Sequence, residues 1–264
     1  MSTQVREPAV AGMFYPSEPE ALSAQVQQFV TQARSRVSAT PKAIIGPHAG
    51  YRFSGAVAGE AYSALSDIAP QISRVVLLGP SHRVPFRGMA ACSADYFSTP
   101  LGSIPVDRQA LDSVLTRDDV FVLDDAHALE HGLEVHLPFL QQCLGEFRLI
   151  PLVVGDSTPE AVGTLLEQLW GGPETLVVIS SDLSHFMDYD SATARDTATS
   201  RAIEQLRYEA VMEGDACGRH PINGLLWLAR RRGLKGEILD LRNSGDTAGH
   251  RDSVVGYGAY AFHG

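Results

Sequence analysis

Short apolar runs alternate along the chain with stretches that favour helices, and this alternation restricts the fold more than any other feature. The runs are rich in Val, Ile and Leu and are short, as buried strands are. Strands that alternate with helices predict a mostly parallel central sheet with helices on both faces. The predicted strands cover residues 43–45, 75–78, 149–154, 176–179, 236–241 and 254–262.

Helix-start signals precede three of the intervening stretches. Ser17 is a predicted N-cap whose capping box is completed by Glu20, and a second helix is predicted to begin at Ser54 and to end near residue 64. Thr158 followed by proline begins a third. The remaining predicted helices cover residues 195–206 and 221–231. Without internal repeats or a low-complexity linker, the 264 residues predict a single α/β domain spanning 1–264.

Composition excludes several classes of partner. The formal net charge of −10 is unfavourable for nucleic acid, because binding to phosphates needs a basic face. No stretch has the length of a transmembrane helix, and the N-terminus lacks the pattern of a signal peptide. Three scattered cysteines predict reduced thiols rather than a disulfide framework. We therefore expect a cytoplasmic protein that binds neither nucleic acid nor membranes.

Polar turns that contain histidine or aspartate follow four of the predicted strands. They carry His48, His82, the pair Asp182 and His185, and Asp246. In open α/β sheets, ligands bind at the edge formed by the carboxyl ends of the strands. If these strands are neighbours, the four turns meet at one place.

Imidazole is the commonest side-chain metal ligand, and two histidines with one carboxylate suit Fe(II) that binds a substrate and dioxygen together. His48 and His82 are the best ligand candidates, and Asp182 and Asp246 are the available carboxylates. His185 is a further ligand or a general base. Each residue taken alone also fits a simpler role, as a hydrogen-bonded residue of its turn.

Residues 124–138 hold a second cluster of acidic residues and histidines. His127, Glu130 and His131 match the H-x-x-E-H pattern of zinc proteases, although Gly132 and Pro138 do not favour a long helix there. A short solvated helix is the simplest alternative. Our preferred interpretation is that Glu130 and His131, together with Glu134 and His136, orient the ligands or contact the substrate.

Several segments together resemble the Memo family, whose bacterial and archaeal members are often called AmmeMemoRadiSam system protein B. The resemblance covers nearly the whole chain and is far more specific than any single motif. Its segments are REPAVAGMFYP (6–16), PHAGYRFSG (47–55), GPSH (79–82), EHGLEVHLPFL (130–140), SSDLSH (180–185) and DSVVGYGAYAF (252–262).

This resemblance implies the fold of class III extradiol dioxygenases, which bind Fe(II) through two histidines and a glutamate. By motif, His48 and His82 match the histidine ligands, and His185 matches the acid–base histidine. The third ligand is glutamate in the dioxygenases and cysteine in animal Memo proteins. In this chain the corresponding loop, residues 243–247, offers Asp246 instead. The resemblance also argues against a zinc protease built on His127.

Two functions follow as expectations. The first is a non-haem iron oxidoreductase of the extradiol type that acts on a small catechol-like substrate, with His185, His131 and Glu130 in catalysis and copper or zinc as alternatives to Fe(II). The second is a non-catalytic module that kept the pocket and binds a metal or a peptide. The name of the bacterial relatives adds a radical-SAM protein as an expected partner.

Overall fold

Four parallel strands lie at the centre of a nine-stranded sheet in the computed structural model, which describes residues 3–34 and 37–264. Their side chains are almost all buried, because helices cover both faces of the sheet. The strands are, in spatial order, β2 (Ala43–Gly46), β9 (Thr175–Ser180), β3 (Arg74–Pro80) and β8 (Arg148–Val154).

Antiparallel strands extend this parallel centre on both sides, so the sheet is mixed. Beyond β2 lies β12 (Val254–His263), which pairs antiparallel with β2, with β10 (His185–Met187) and with β11 (Lys235–Asn243). Beyond β8 lie β4 (Met89–Ala91), which is antiparallel to β8, and β7 (Val120–Val122). A separate three-stranded sheet contains β1 (Val5–Arg6), β5 (Tyr96–Thr99) and β6 (Gly102–Pro105).

The helices form a layer on each face of the sheet. On one face α1 (Pro19–Gln32), α2 (Tyr51–Ser63) and α6 (Leu137–Leu144) pack together, and α7 (Pro159–Leu169) and α9 (Arg219–Arg232) pack against each other on the opposite face. This arrangement confirms the predicted α/β class. The other helices are α3 (Arg108–Val114), α4 (Asp124–Ala128), α5 (His131–Glu134) and α8 (Tyr189–Glu204).

Two of the predicted helix starts differ from the structure. The N-cap of α1 is Glu18 without a side-chain cap, so the capping box expected from Ser17 and Glu20 does not form. Helix α2 begins three residues before Ser54, whose hydroxyl instead donates to the carbonyl of Ala49. By contrast, Thr158 caps α7 by accepting a hydrogen bond from the backbone N–H of Ala161, as its hydroxyl and the following proline predict.

The carboxyl ends of β2, β9 and β3 lie side by side, and this edge positions the predicted site. The turns after these three strands carry His48, the pair Asp182 and His185, and His82 respectively. Strand β11 ends at the same edge but is separated from β2 by β12. The turn with Asp246 is thus displaced by two strand spacings, roughly 10 Å, from the turn with His48.

Candidate metal centre

Three histidines meet at the carboxyl edge of the parallel strands. Ring nitrogens of His48, His82 and His131 lie within 4.8 Å of one another. The ring centroids are 4.9 Å apart for His48 and His82, 5.3 Å for His48 and His131, and 4.5 Å for His82 and His131. Of the His, Cys, Asp and Glu residues within the described ranges, these alone form a group of three or more close enough to hold one metal ion.

The His48 ring is fixed by Ser180 at the end of β9. The Ser180 hydroxyl donates to the carbonyl oxygen of Gly132 and lies 2.6 Å from His48 Nδ1. Because that hydroxyl has a single proton, His48 Nδ1 must be the donor in the second bond, which leaves the lone pair on Nε2. Burial, together with the neighbouring His82 and His131, lowers the pKa of His48 well below its ordinary value. The ring is therefore a neutral ligand candidate near pH 7.

Glu130 orients His82. One carboxylate oxygen lies 2.7 Å from His82 Nδ1, and the other accepts the backbone N–H of His82 at 2.8 Å. Burial raises the pKa of Glu130, but the hydrogen bonds from His82 and from the Gly132 N–H outweigh it, so this pKa lies below its ordinary value. A carboxylate only accepts, so His82 donates from Nδ1 and keeps Nε2 for a metal.

His131 completes the group from outside the strand ends. It is the first residue of the short helix α5, and its ring stacks on that of His82. Burial and the neighbouring His82 lower the pKa of His131 to about 4. The side chains of His82 and His131 are 26% and 18% exposed, whereas His48 is 1% exposed, so a ligand can reach the group from the side of His82 and His131.

His185 lies on β10 beside the group and close enough to influence the pKa of His48. Its Nδ1 donates to the carbonyl oxygen of Leu183 at 2.8 Å, which leaves a lone pair on Nε2. Burial lowers the pKa of His185 despite that hydrogen bond. A partly exposed, neutral imidazole in this position has the properties of a proton acceptor.

The two candidate carboxylates do not join the three ring nitrogens. Asp182 is buried and accepts the backbone N–H groups of His48 and Ala49, so it positions the His48 turn. Burial raises the pKa of Asp182 to about 7. Asp246 is exposed, accepts the backbone N–H of Asn243 and the Tyr189 hydroxyl, and forms part of a capping box. The position of β11 two strands from β2 explains why its carboxylate lies elsewhere.

The H-x-x-E-H match does not form a zinc-protease site. His127 lies in α4, which ends at Ala128, and His131 begins α5, so the two histidines do not share one helix face. Buried His127 bonds through Nε2 to the carbonyl oxygen of Ala90. Glu134, which we expected to orient the ligands or contact the substrate, forms a buried ion pair with Arg6. His136 Nδ1 bonds to the Tyr62 hydroxyl.

Similarity to known proteins covers nearly the whole chain. A family model described as "Memo-like protein" matches residues 6–261. The chain belongs to the Memo family. Among its similar curated relatives, the MEMO1 family protein of Saccharolobus solfataricus is 35% identical, with 97% of this chain and 99% of that protein covered. The MEMO1 family protein of Sulfolobus acidocaldarius is 33% identical, with 96% and 97% covered.

A solved structure similar to this Memo-family chain shows the fold alone. It is the crystal structure of an Escherichia coli K12 protein described as uncharacterized, with 15% identity and a TM-score of 0.50. The likeness covers 83% of this chain and 98% of the other. In the described ranges of the Memo-family chain, no helix combines the length and apolarity needed to cross a membrane.

Proposed function

We propose that this Memo-family protein binds a transition metal ion, with Fe(II) as the first candidate, through His48, His82 and His131. The observation that carries the proposal is the approach of three ring nitrogens to within 4.8 Å of one another. Two of the rings are held in the required tautomer by Ser180 and Glu130. Imidazole ligands suit iron, copper and zinc, and three protein ligands leave a coordination position for a substrate.

The finer proposal is an oxidoreductase of the extradiol type, acting on a small catechol-like molecule with dioxygen. A bound redox-active metal would bring the substrate and dioxygen together. His185 would take a proton from a substrate hydroxyl at Nε2, while the Leu183 carbonyl holds the opposite side of its ring. Glu130 would keep His82 oriented and remain charged.

Two aromatic side chains next to the site histidines favour the proposal of a flat substrate. The Phe14 ring lies 4.9 Å from that of His131, and the Phe186 ring lies 5.7 Å from that of His185. Phe186 is 79% exposed and has a φ of 59°, a left-handed conformation that is unfavourable for a bulky residue. Strained backbone of this kind is concentrated at functional sites, and a planar substrate would cover the exposed ring.

The metal content of protein purified without oxygen and without a histidine tag tests this proposal. We expect near-stoichiometric iron in the wild type, loss of iron in His48→Ala/His82→Ala, and retention in the control His250→Ala, which removes an exposed histidine. Oxygen uptake with a panel of diphenols then tests the finer step. Iron-loaded protein that consumes no oxygen with any diphenol would contradict the dioxygenase activity, and a metal-free wild type after reconstitution would contradict the metal site.

A non-catalytic module is the second candidate, and the position of Asp246 favours it. The resemblance to dioxygenases implied a carboxylate ligand from this loop, but the Asp246 side chain is engaged with Asn243 and Tyr189. Such a module would bind a metal or a peptide, or serve a radical-SAM partner. Pull-down partners that survive loss of His48 and His82 would favour it over the enzyme.

A further inference from the structure

Asp196 is a buried carboxylate on α8 that contacts the turn carrying His185. It is 2% exposed, and its Oδ1 accepts the backbone N–H of Ser184 at 3.0 Å. Burial raises the pKa of Asp196, although the Ser184 N–H opposes this shift. A carboxylate in the core destabilises a fold unless hydrogen bonds compensate for its lost hydration. The bond to Ser184 is therefore a feature that an apolar residue at position 196 could not provide.

Strand β12 holds the same turn through its backbone. The N–H of Gly256 donates to the Ser184 carbonyl at 2.8 Å, and the Gly256 carbonyl accepts the N–H of Leu183 at 2.8 Å. The strand approaches so closely that a Cβ on Gly256 would overlap the Asp196 carboxylate, so only glycine leaves room for it. The peptide groups of Leu183 and Ser184 are thus fixed between a helix and a strand.

The Leu183 peptide in turn determines the state of the His185 ring. Its carbonyl oxygen lies 2.8 Å from His185 Nδ1. Because a carbonyl only accepts, Nδ1 carries the proton and Nε2 carries the lone pair. The next residue, Phe186, has a φ of 59°, a conformation that persists only where the surrounding structure fixes the chain. The orientation of His185 therefore depends on the backbone that Asp196 and Gly256 hold.

We propose that Asp196 is a positioning residue for His185, which it keeps beside the three-histidine group with the Nε2 lone pair available. This inference rests on the proposed function, in which Nε2 takes a proton from the substrate, and deepens it. Without the carboxylate, the Ser184 N–H loses its acceptor and the Leu183 carbonyl is no longer held against Nδ1. The His185 ring then exchanges between its two neutral tautomers.

Ser200 provides a matched control at the same interface. Its hydroxyl lies 2.6 Å from that of Tyr260, and both residues are 1% exposed. This pair joins α8 to β12, as Asp196 and Gly256 do, but each of its members lies four residues further along its element. A general loosening of the two elements affects His185 in variants of either site, whereas positioning affects it only when Asp196 is changed.

Multiple-bond ¹H–¹⁵N NMR of the metal-free protein tests the proposal at about pH 8, where the histidine ring is neutral. The spectrum of His185→Gln assigns the signals. We expect the wild type to hold the proton on Nδ1. Asp196→Ala and Asp196→Leu should give ring-nitrogen shifts averaged between the two tautomers, and leucine also fills the space of the carboxylate. Asp196→Asn keeps an acceptor oxygen and should retain the wild-type tautomer, as should Ser200→Ala.

The outcomes separate the positioning role from the function on which it rests. A wild type with the proton on Nε2, or unchanged His185 signals in both Asp196→Ala and Asp196→Leu, would overturn the positioning role. Equal changes in Ser200→Ala would overturn it too. In diphenol-dependent oxygen uptake, we expect Asp196→Leu to lower kcat about tenfold or more with little change in KM. An unchanged kcat despite an altered tautomer would overturn the acid–base role of His185 and leave the positioning standing.

Discussion

At the scale of single residues, the candidate centre depends on side chains that do not bind the metal themselves. Ser180 and Glu130 select which ring nitrogen of His48 and His82 carries the lone pair. Asp182 holds the backbone of His48. Gly132 lies among these groups so closely that a Cβ there would be 3.1 Å from the Glu130 carboxylate and 3.5 Å from both rings. The rings are therefore oriented before a metal arrives.

Glu130→Gln should weaken metal binding by about ten- to a hundredfold, because the charged partner that fixes the His82 tautomer is lost. Glutamine keeps the size of the side chain and an oxygen that can accept the Gly132 N–H. Competition titration with a chromophoric chelator measures the change. Glu146→Gln, at an exposed position, serves as the control, and equal affinities of the two variants would contradict the role of Glu130.

His127 should make the protein lose stability in mild acid. Burial lowers the pKa of His127 to about 4, against 6.5 in the unfolded chain. Between these pH values the unfolded state binds more protons than the folded state. The free energy of unfolding therefore falls as the pH drops from 6.5 towards 4. Between pH 7 and pH 5, His127 should lower the free energy of unfolding by about 2 kcal/mol. Urea denaturation of the wild type and His127→Gln at both pH values measures it. Equal losses in the two proteins would refute this origin.

His48 and His82 could be indicated from sequence because each follows a short apolar run and a Gly-Pro pair, the pattern of a tight turn after a strand. His131 could not be placed in the same way. It belongs to a segment between β7 and β8 that crosses the edge of the sheet, and its closeness to His48 depends on tertiary packing. The sulfur of Cys217 lies 3.3 Å from His48 Nε2, although 169 residues separate the two in sequence, and it too gave no local signal.

At the scale of elements, the segment that precedes α1 is attached to the site by one carboxylate. Buried Glu134 pairs with Arg6 and accepts the backbone N–H groups of Ala9 and Val10 and the Tyr15 hydroxyl. The same segment supplies Phe14, whose ring lies against His131. Glu134 thus connects the order of the N-terminal segment to one wall of the candidate site.

Removing this carboxylate should destabilise the fold strongly. We expect Glu134→Ala to lower the free energy of unfolding by about 3–5 kcal/mol, because Arg6 is left as an uncompensated buried charge. Glu209→Ala breaks the exposed pair with Arg230 and should have little effect. Chemical denaturation compares the two variants. A Glu134 variant as stable as the Glu209 variant would show that the buried pair does not hold the segment.

The central strands were predictable because buried parallel strands are nearly continuous apolar runs, and β2, β3, β8 and β9 each contain one. The antiparallel strands on either side of this centre were not predictable. Strands β4, β7 and β10 have three residues each, which is too short for a periodic signal, and their positions depend on pairing with distant strands. The start of α2 was misplaced because Gly50, rather than a serine, is its N-cap.

At the scale of the whole molecule, strand order decides which turns can cooperate. The adjacency of β2, β9 and β3 brings the turns with His48, Asp182 and His82 to one edge, and the segment with α5 adds His131. The intervening β12 keeps the turn with Asp246 away from them. The strand ends were predictable from sequence, whereas the strand order came only from the structure.

The metal contents of His131→Ala and Asp246→Asn test the central claim most directly, because the two variants separate the third ligand given by the geometry from the one expected by resemblance. Both are purified anaerobically without a histidine tag, reconstituted and analysed by mass spectrometry beside the wild type. A three-histidine centre predicts that Asp246→Asn retains the metal content of the wild type and that His131→Ala loses it. Retention of metal by His131→Ala together with its loss in Asp246→Asn would contradict the claim.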